Sequence, residues 1–160
     1  MNLAVYPGSF DPITLGHLNI IERASRLSST LVIAVVTNPK KQSLFSLLER
    51  QQLIARSTEH LPNVRVDFFE GLLVDYLAKV NAACVIKGLR TAADFDDELQ
   101  MSRLNQEMWP PMETVLLPAE ARFGHYSSTM VRQIASLGGD VSRMVSPFVR
   151  EQLRQKFNQA

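Results

Sequence analysis

The chain reads as an α/β protein, a doubly wound five-stranded parallel sheet with helices on both faces and a further helix at the C-terminus. Three observations predict this. Apolar, β-branched runs alternate with helical periodicity along the 160 residues. Two of those runs, Leu31-Val32-Ile33-Ala34-Val35-Val36 and Ala83-Cys84-Val85-Ile86, are continuously apolar, as parallel strands covered on both faces must be. The first strand breaks into a Gly/Pro-punctuated loop that ends in Gly16-His17 as a helix begins. That is how α/β proteins build anion sites, with free N–H groups at a helix start.

In chain order, the first strand is expected over 3–6, followed by a helix carrying Leu18, Ile20, Ile21, Ala24 and Leu27 at helical spacing. The second strand is expected over 31–37. Ser46 with Glu49 then forms a capping box that opens the second helix. A third strand over 64–69 precedes a helix marked by Leu72, Leu73, Tyr76, Leu77 and Val80. The fourth strand, 83–87, leads to an acidic helix start, Asp94-Phe95-Asp96-Asp97-Glu98. Its plainest reading is a solvated first turn favoured by the helix dipole. Trp109-Pro110-Pro111 ends that helix, because proline blocks continuation. The fifth strand covers 114–117, and Val149, Leu153 and Phe157 mark the last helix. No repeat or linker-like segment interrupts the pattern, so residues 1–160 are expected to form one domain.

Bulk properties narrow the function. With 46% hydrophobic and 21% charged residues the chain is a folded domain, large enough to bury roughly two-thirds of its unfolded surface. A net charge of +1 gives no global field toward nucleic acid or membrane. Anion selectivity must come from local placement of cations. Cys84, the single cysteine, suits a buried strand position. The chain has no signal-like start and no apolar stretch approaching the ~20 residues that span a bilayer, so a cytoplasmic setting is expected.

Ligands of a doubly wound sheet bind beyond the carboxyl ends of the strands. Gly8, Ser9, Phe10 and His17 follow the first strand, and Asn38-Pro39-Lys40-Lys41 follow the second. Lys87-Gly88-Leu89-Arg90 end the fourth; Phe123-Gly124-His125-Tyr126-Ser127-Ser128-Thr129 follow the fifth. Each alone is ordinary, but their convergence on one face is informative. Neither the dinucleotide fingerprint nor the P-loop is present. Phosphate would be held instead by helix starts and by Lys41, Lys87 and Arg90. Ser127, Ser128 and Thr129 have a second reading as helix caps. For His17 the helix N-terminus disfavours a charged imidazole, leaving a neutral N–H donor.

Pro7-Gly8-Ser9-Phe10-Asp11-Pro12, Thr14-x-Gly16-His17, Lys87-Gly88-Leu89-Arg90 and Tyr126-Ser127-Ser128-Thr129 closely resemble the bacterial phosphopantetheine adenylyltransferase family. That family lies within the nucleotidyltransferases with a (Thr/His)-x-Gly-His signature. The similarity runs in order from Val5 to Val141. It implies a Rossmann-like fold and reversible transfer of AMP from ATP to 4′-phosphopantetheine, giving dephospho-coenzyme A and pyrophosphate. By position it implies that Ser9 contacts acceptor phosphate and ATP, with backbone contacts from Phe10. His17 would stabilise the transition state, Lys41 would bind the transferring phosphates, and Arg90 would join them as a catalytic cation. Leu73 and Lys87 would line the acceptor arm. ATP would lie against Gly88, Leu89, Arg90, Glu98, Phe123, Gly124, His125, Tyr126, Ser127, Ser128 and Thr129. The family also implies Mg²⁺ held mainly by ATP phosphates and water, with no metal-binding residues, and a homohexamer. Leu104 and Met108 are apolar positions that permit such an interface. Three positions depart from the family pattern. Ser9 stands for Thr, Lys87 for Arg, and Asp97 for the Tyr before Glu98. Two other readings remain open, transfer to another phosphorylated acceptor (nicotinamide mononucleotide or glycerol phosphate) and a non-catalytic nucleotide-binding module.

Overall fold

The computed structural model describes residues 2–158. Five parallel strands form one sheet in the order β3-β2-β1-β4-β5. They are β1 (Leu3–Gly8), β2 (Thr30–Thr37), β3 (Val64–Glu70), β4 (Cys84–Leu89) and β5 (Thr114–Pro118). The chain winds outward from β1 to β3, crosses back, and winds the other way through β4 and β5. The order therefore reverses between β1 and β4, and a crevice opens there at the carboxyl ends.

Side-chain alternation shows why the central strands are apolar throughout. Ala4, Tyr6, Leu31, Ile33, Val35, Cys84 and Ile86 point into one core, and Val5, Val32, Ala34 and Val85 point into the other. The first core is covered by α1 (Leu15–Ser25), α2 (Leu47–Ser57), α5 (Ser128–Ser136) and α6 (Pro147–Asn158). The second is covered by α3 (Leu73–Lys79) and by Trp109 and Met112, which follow α4 (Ala92–Met108). A parallel strand must bury both faces, and period-two alternation makes both apolar.

The strand expectations hold, with extensions at the functional ends. Pro7 and Gly8 stay in register with Ala34 and Val35, and Gly88 and Leu89 pair with Leu117 and Pro118. Helix α1 is shorter than its apolar spacing suggested. It ends at Ser25, with Arg26 as cap, and Leu27 is exposed. The acidic start of α4 is a capping box in which Asp94 and Thr91 bond reciprocally, and Asp97 is solvent-exposed. Trp109 caps the C-terminal end of α4, as its prolines foretold.

The expected capping box of α2 is present. Glu49 N–H donates to Ser46 Oγ at 3.2 Å, and Ser46 N–H donates to Glu49 Oε2 at 2.7 Å. Glu49 also meets Lys156 of α6 at 2.8 Å. Ser46→Ala removes the cap and is expected to cost about 1 kcal/mol in urea denaturation. A loss below ~0.3 kcal/mol would contradict the cap's role.

Candidate active site

The loop after β1 is built around Phe10. Its φ of +46° is left-handed, and its ring is buried at 1% exposure. A left-handed non-glycine residue is strained, and burying an aromatic ring offsets that strain. Gly8 makes the room, since a Cβ there would stand 3.0 Å from the Phe10 ring. The glycine thus admits a side chain of the loop itself. The Asp11–Pro12 peptide is cis. Asp11 is 5% exposed, and its carboxylate accepts from the N–H groups of Leu44 and Phe45, each at 2.9 Å. Arg132 lies 3.7 Å from the same carboxylate and donates to the Asp11 carbonyl. Asp11 therefore fastens the β1 loop to the loop after β2 and to α5.

His17 sits in the first turn of α1, where Thr14 is the cap. Thr14 N–H donates to His17 Nδ1 at 3.0 Å, and His17 N–H donates to Thr14 Oγ1 at 3.3 Å. A backbone N–H can only donate, so Nδ1 is an acceptor and the ring proton belongs on Nε2. Burial, and secondly the positive Arg90, lower the His17 pKa to about 4. The imidazole is neutral as expected, but burial is the main cause. The Phe10 ring stands edge-on to it with centroids 5.0 Å apart.

Stability follows with a definite sign. Between pH 6.5 and about 4 the unfolded chain takes up a proton that folded His17 refuses, so this contribution is present above 6.5 and lost as pH falls. We expect the urea midpoint to fall from pH 7 to pH 4.5, and to fall less in His17→Gln. Equal falls in both proteins would contradict a depressed pKa.

Two contiguous clefts lie over these groups. The first, about 290 Å³, opens between β1 and β4 and collects Ser9, His17, Lys87, Gly88, Arg90, Glu98, Tyr126, Ser127, Ser128 and Thr129. The second, about 260 Å³, opens between β1 and β2 and adds Lys41, Arg50 and Arg132 to Ser9, Ser128 and Thr129. The structure thus brings together residues from four strand ends. Tyr6 lies under the first cleft, and burial raises its phenol well above its ordinary range. Close packing fixes Gly88, where a Cβ would meet Ile20 Cγ1 at 3.0 Å and the Tyr6 hydroxyl at 3.3 Å.

Several groups are already engaged. Lys87 Nζ meets Glu98 Oε2 at 3.0 Å, and Arg90 Nε meets Asp94 Oδ2 at 3.5 Å. Ser127 Oγ accepts from Met130 N–H, so the capping reading of this residue is correct. Ser128 Oγ donates to the Pro12 carbonyl at 2.7 Å, and Thr129 Oγ1 accepts from Arg132 at 3.4 Å. These hydroxyls shape the α5 start. The N–H groups of that turn are what an anion would meet.

The remaining sequence-derived residues frame the clefts. The Leu89 carbonyl accepts from Ala119 N–H at 2.7 Å. Phe123 and Gly124 form a single 3₁₀ turn and its cap, with the Arg122 guanidinium 4.6 Å above the Phe123 ring. His125 is exposed, and Tyr126 stands 6.2 Å from Phe123. Asn19 of α1 clips this segment by donating to Glu120 Oε1 at 2.6 Å. Leu73 lies apart, partly buried at the start of α3 against the second core and outside both clefts. Sequence reasoning missed Asp11, Arg50 and Asn19. For Arg50 a signal existed, since it takes an apolar slot in the stripe of Leu53 and Ile54.

The cytidylyltransferase-like family profile matches residues 5–134. A phosphopantetheine adenylyltransferase of Caldanaerobacter subterraneus is 46% identical over 160 residues, covering 100% of both chains. The chain belongs to the phosphopantetheine adenylyltransferase family. A family member from Thermosynechococcus vestitus is 48% identical over 98% of this chain and 94% of its own. One from Roseiflexus sp. is also 48% identical, over 98% of each. Among solved structures, one from Vibrio parahaemolyticus, provisionally assigned as a nicotinate-nucleotide adenylyltransferase, superposes with a TM-score of 0.76. It covers 100% of this chain and 98% of its own at 18% identity, a likeness of fold alone.

Proposed function

We propose that the chain transfers AMP from ATP to 4′-phosphopantetheine, releasing pyrophosphate and dephospho-coenzyme A in a reversible step of coenzyme A biosynthesis. The observation that carries this reading is the meeting of Ser9, His17, Lys87, Arg90 and the α5 start at the β1/β4 switch point, in a member of this family. An acceptor phosphate has a second pKa of about 6 and is largely dianionic at neutral pH, so it needs no base. Its oxygen bonds to the α-phosphorus as the bond to the β-phosphate oxygen breaks, and pyrophosphate leaves. Catalysis then rests on positioning and charge stabilisation.

The Nε2–H of His17 donates to an α-phosphoryl oxygen. Lys41 and Arg90 neutralise the charge of the transferring phosphates, and Ser9 orients both substrates. Lys87 receives the acceptor and Glu98 the nucleotide, so substrate entry must exchange the ion pair these two form. Phe10, Gly88, Leu89 and residues 123–129 complete the ATP site; Leu73 is assigned to the acceptor arm by resemblance alone, since it lies outside both clefts. Among the described residues no cluster of His, Cys, Asp or Glu suits a metal ion, and Glu98 and Asp94 already hold cations. By resemblance to the family, Mg²⁺ would be held mainly by the ATP phosphates and water, and would screen phosphate charge there.

The cytoplasm is the proposed setting. Among the described residues no helix is long and apolar enough to cross a membrane. A homohexamer is proposed from the resemblance, and Met101, Leu104 and Met108 on α4 are each about half exposed in support of an interface. Pyrophosphate release is the test, with ATP and a panel of 4′-phosphopantetheine, nicotinamide mononucleotide and glycerol phosphate. Turnover with the first alone is expected. ATP binding without turnover on it would overturn the reading.

A further inference from the structure

Arg50 is the only cation buried among the described residues, at 5% exposure. Its Nη1 donates to the carbonyl of Ser9 at 2.9 Å and to that of Val36 at 3.3 Å. The Ser9 carbonyl lies just past the end of β1 and the Val36 carbonyl lies one residue before the end of β2, so one guanidinium ties both strand exits. Its Nε is buried with no hydrogen-bond partner. None of the ion pairs within 4.0 Å among the described residues includes Arg50. Asp11, the nearby buried carboxylate, is taken up by Leu44, Phe45 and Arg132.

A buried cation without a counter-charge is expensive, because carbonyl dipoles replace only part of its lost hydration. Arg50 lines the second cleft, together with Lys41 and Arg132. Three cations thus face about 260 Å³ in which the one carboxylate is spoken for. Weak local screening makes a charge so placed act strongly on an anion nearby.

We propose that Arg50 is a positioning residue whose missing counter-charge is a phosphate group of the substrate or leaving pyrophosphate in this cleft. It holds the Ser9 backbone in place and supplies positive potential from beneath. The identity of the anion rests on the adenylyl-transfer reading; the charge imbalance does not. A guanidinium kept only as a strand tether would serve the two carbonyls equally well in an empty cleft.

The test is titration of the full chain with inorganic pyrophosphate at low salt, by calorimetry, for wild type, Arg50→Met and Arg50→Lys. Arg50→Met is expected to bind at least tenfold more weakly, and Arg50→Lys to stay within tenfold of wild type because the charge remains. Loss below tenfold in the Met variant overturns the proposal. So does a tenfold or greater loss in the Lys variant, which would mark Arg50 as a tether alone. If Arg50→Met does not fold, Arg50→Lys decides by the same threshold. Turnover with ATP and 4′-phosphopantetheine is measured on the same wild-type preparation. Pyrophosphate binding without turnover removes the adenylyl-transfer reading and leaves the Arg50 comparison intact.

Discussion

His17→Ala is expected to lower kcat by about 10²–10³-fold, equivalent to ~2.7–4 kcal/mol, the loss seen when one oxyanion-type donor is removed. The expectation comes from the local geometry. Thr14 N–H occupies Nδ1, so the ring can present only Nε2–H to the cleft that His17 lines. Phe10 and Tyr6 wall the ring, and reorienting it would cost these contacts. A donor fixed before reaction needs no reorganisation as charge develops on the α-phosphoryl oxygens. The proposed role acts in the transition state, so KM for both substrates should change little beside kcat. The variant loses the contacts of Nδ1 with the Thr14 N–H and hydroxyl, worth about 1 kcal/mol each, and remains folded. Steady-state kinetics with both substrates provide the check. Turnover within threefold of wild type would remove His17 from the proposed chemistry.

Asp11→Ala is expected to be the most damaging change to stability, about 3–5 kcal/mol, because it strands the partners of a buried carboxylate. Leu44 and Phe45 would each keep a backbone N–H with no acceptor, and Arg132 would lose its nearest negative charge. Asp11→Asn retains one acceptor and should lose roughly half as much. The loss should reach the site as well, since Asp11 holds the Ser9 loop beside the segment carrying Lys41. Urea denaturation measures the first effect and kcat/KM of the folded fraction the second. A cost below 1 kcal/mol would mean that water satisfies the two N–H groups.

Much of the fold was legible because parallel strands declare themselves by continuous apolar runs. Every strand expected from the sequence is present, and the Ser46–Glu49 cap shows how far a local signal reaches. The ends were less legible. Pro7, Gly8, Gly88 and Leu89 belong to strands although their composition reads as loop, because neighbouring strands continue the ladder past the apolar run. Leu27 was misplaced into α1 for the opposite reason, since its spacing fits but its side chain meets solvent.

At the site, residues following strand ends could be gathered from sequence alone, because topology brings those ends together. Pairings between distant residues could not. Lys87 with Glu98, Asp11 with the N–H groups of Leu44 and Phe45, and Asn19 with Glu120 are tertiary facts. Arg50 is intermediate, because its apolar slot beside Leu53 and Ile54 signals burial while its bonds to the Ser9 and Val36 carbonyls are tertiary facts. The neutrality of His17 was foreseen from the helix start, whereas its larger cause is burial, which only packing reveals.

The proposed chemistry depends above all on a neutral imidazole that gives one hydrogen and takes none. ¹⁵N NMR of the histidine-labelled protein, with His17→Gln to assign the signal, tests this between pH 7 and pH 5. The expected spectrum shows Nε2 protonated and Nδ1 bare over that whole range, with protonation only toward about pH 4. A His17 signal that titrates near 6.5, or one with the proton on Nδ1, would contradict it.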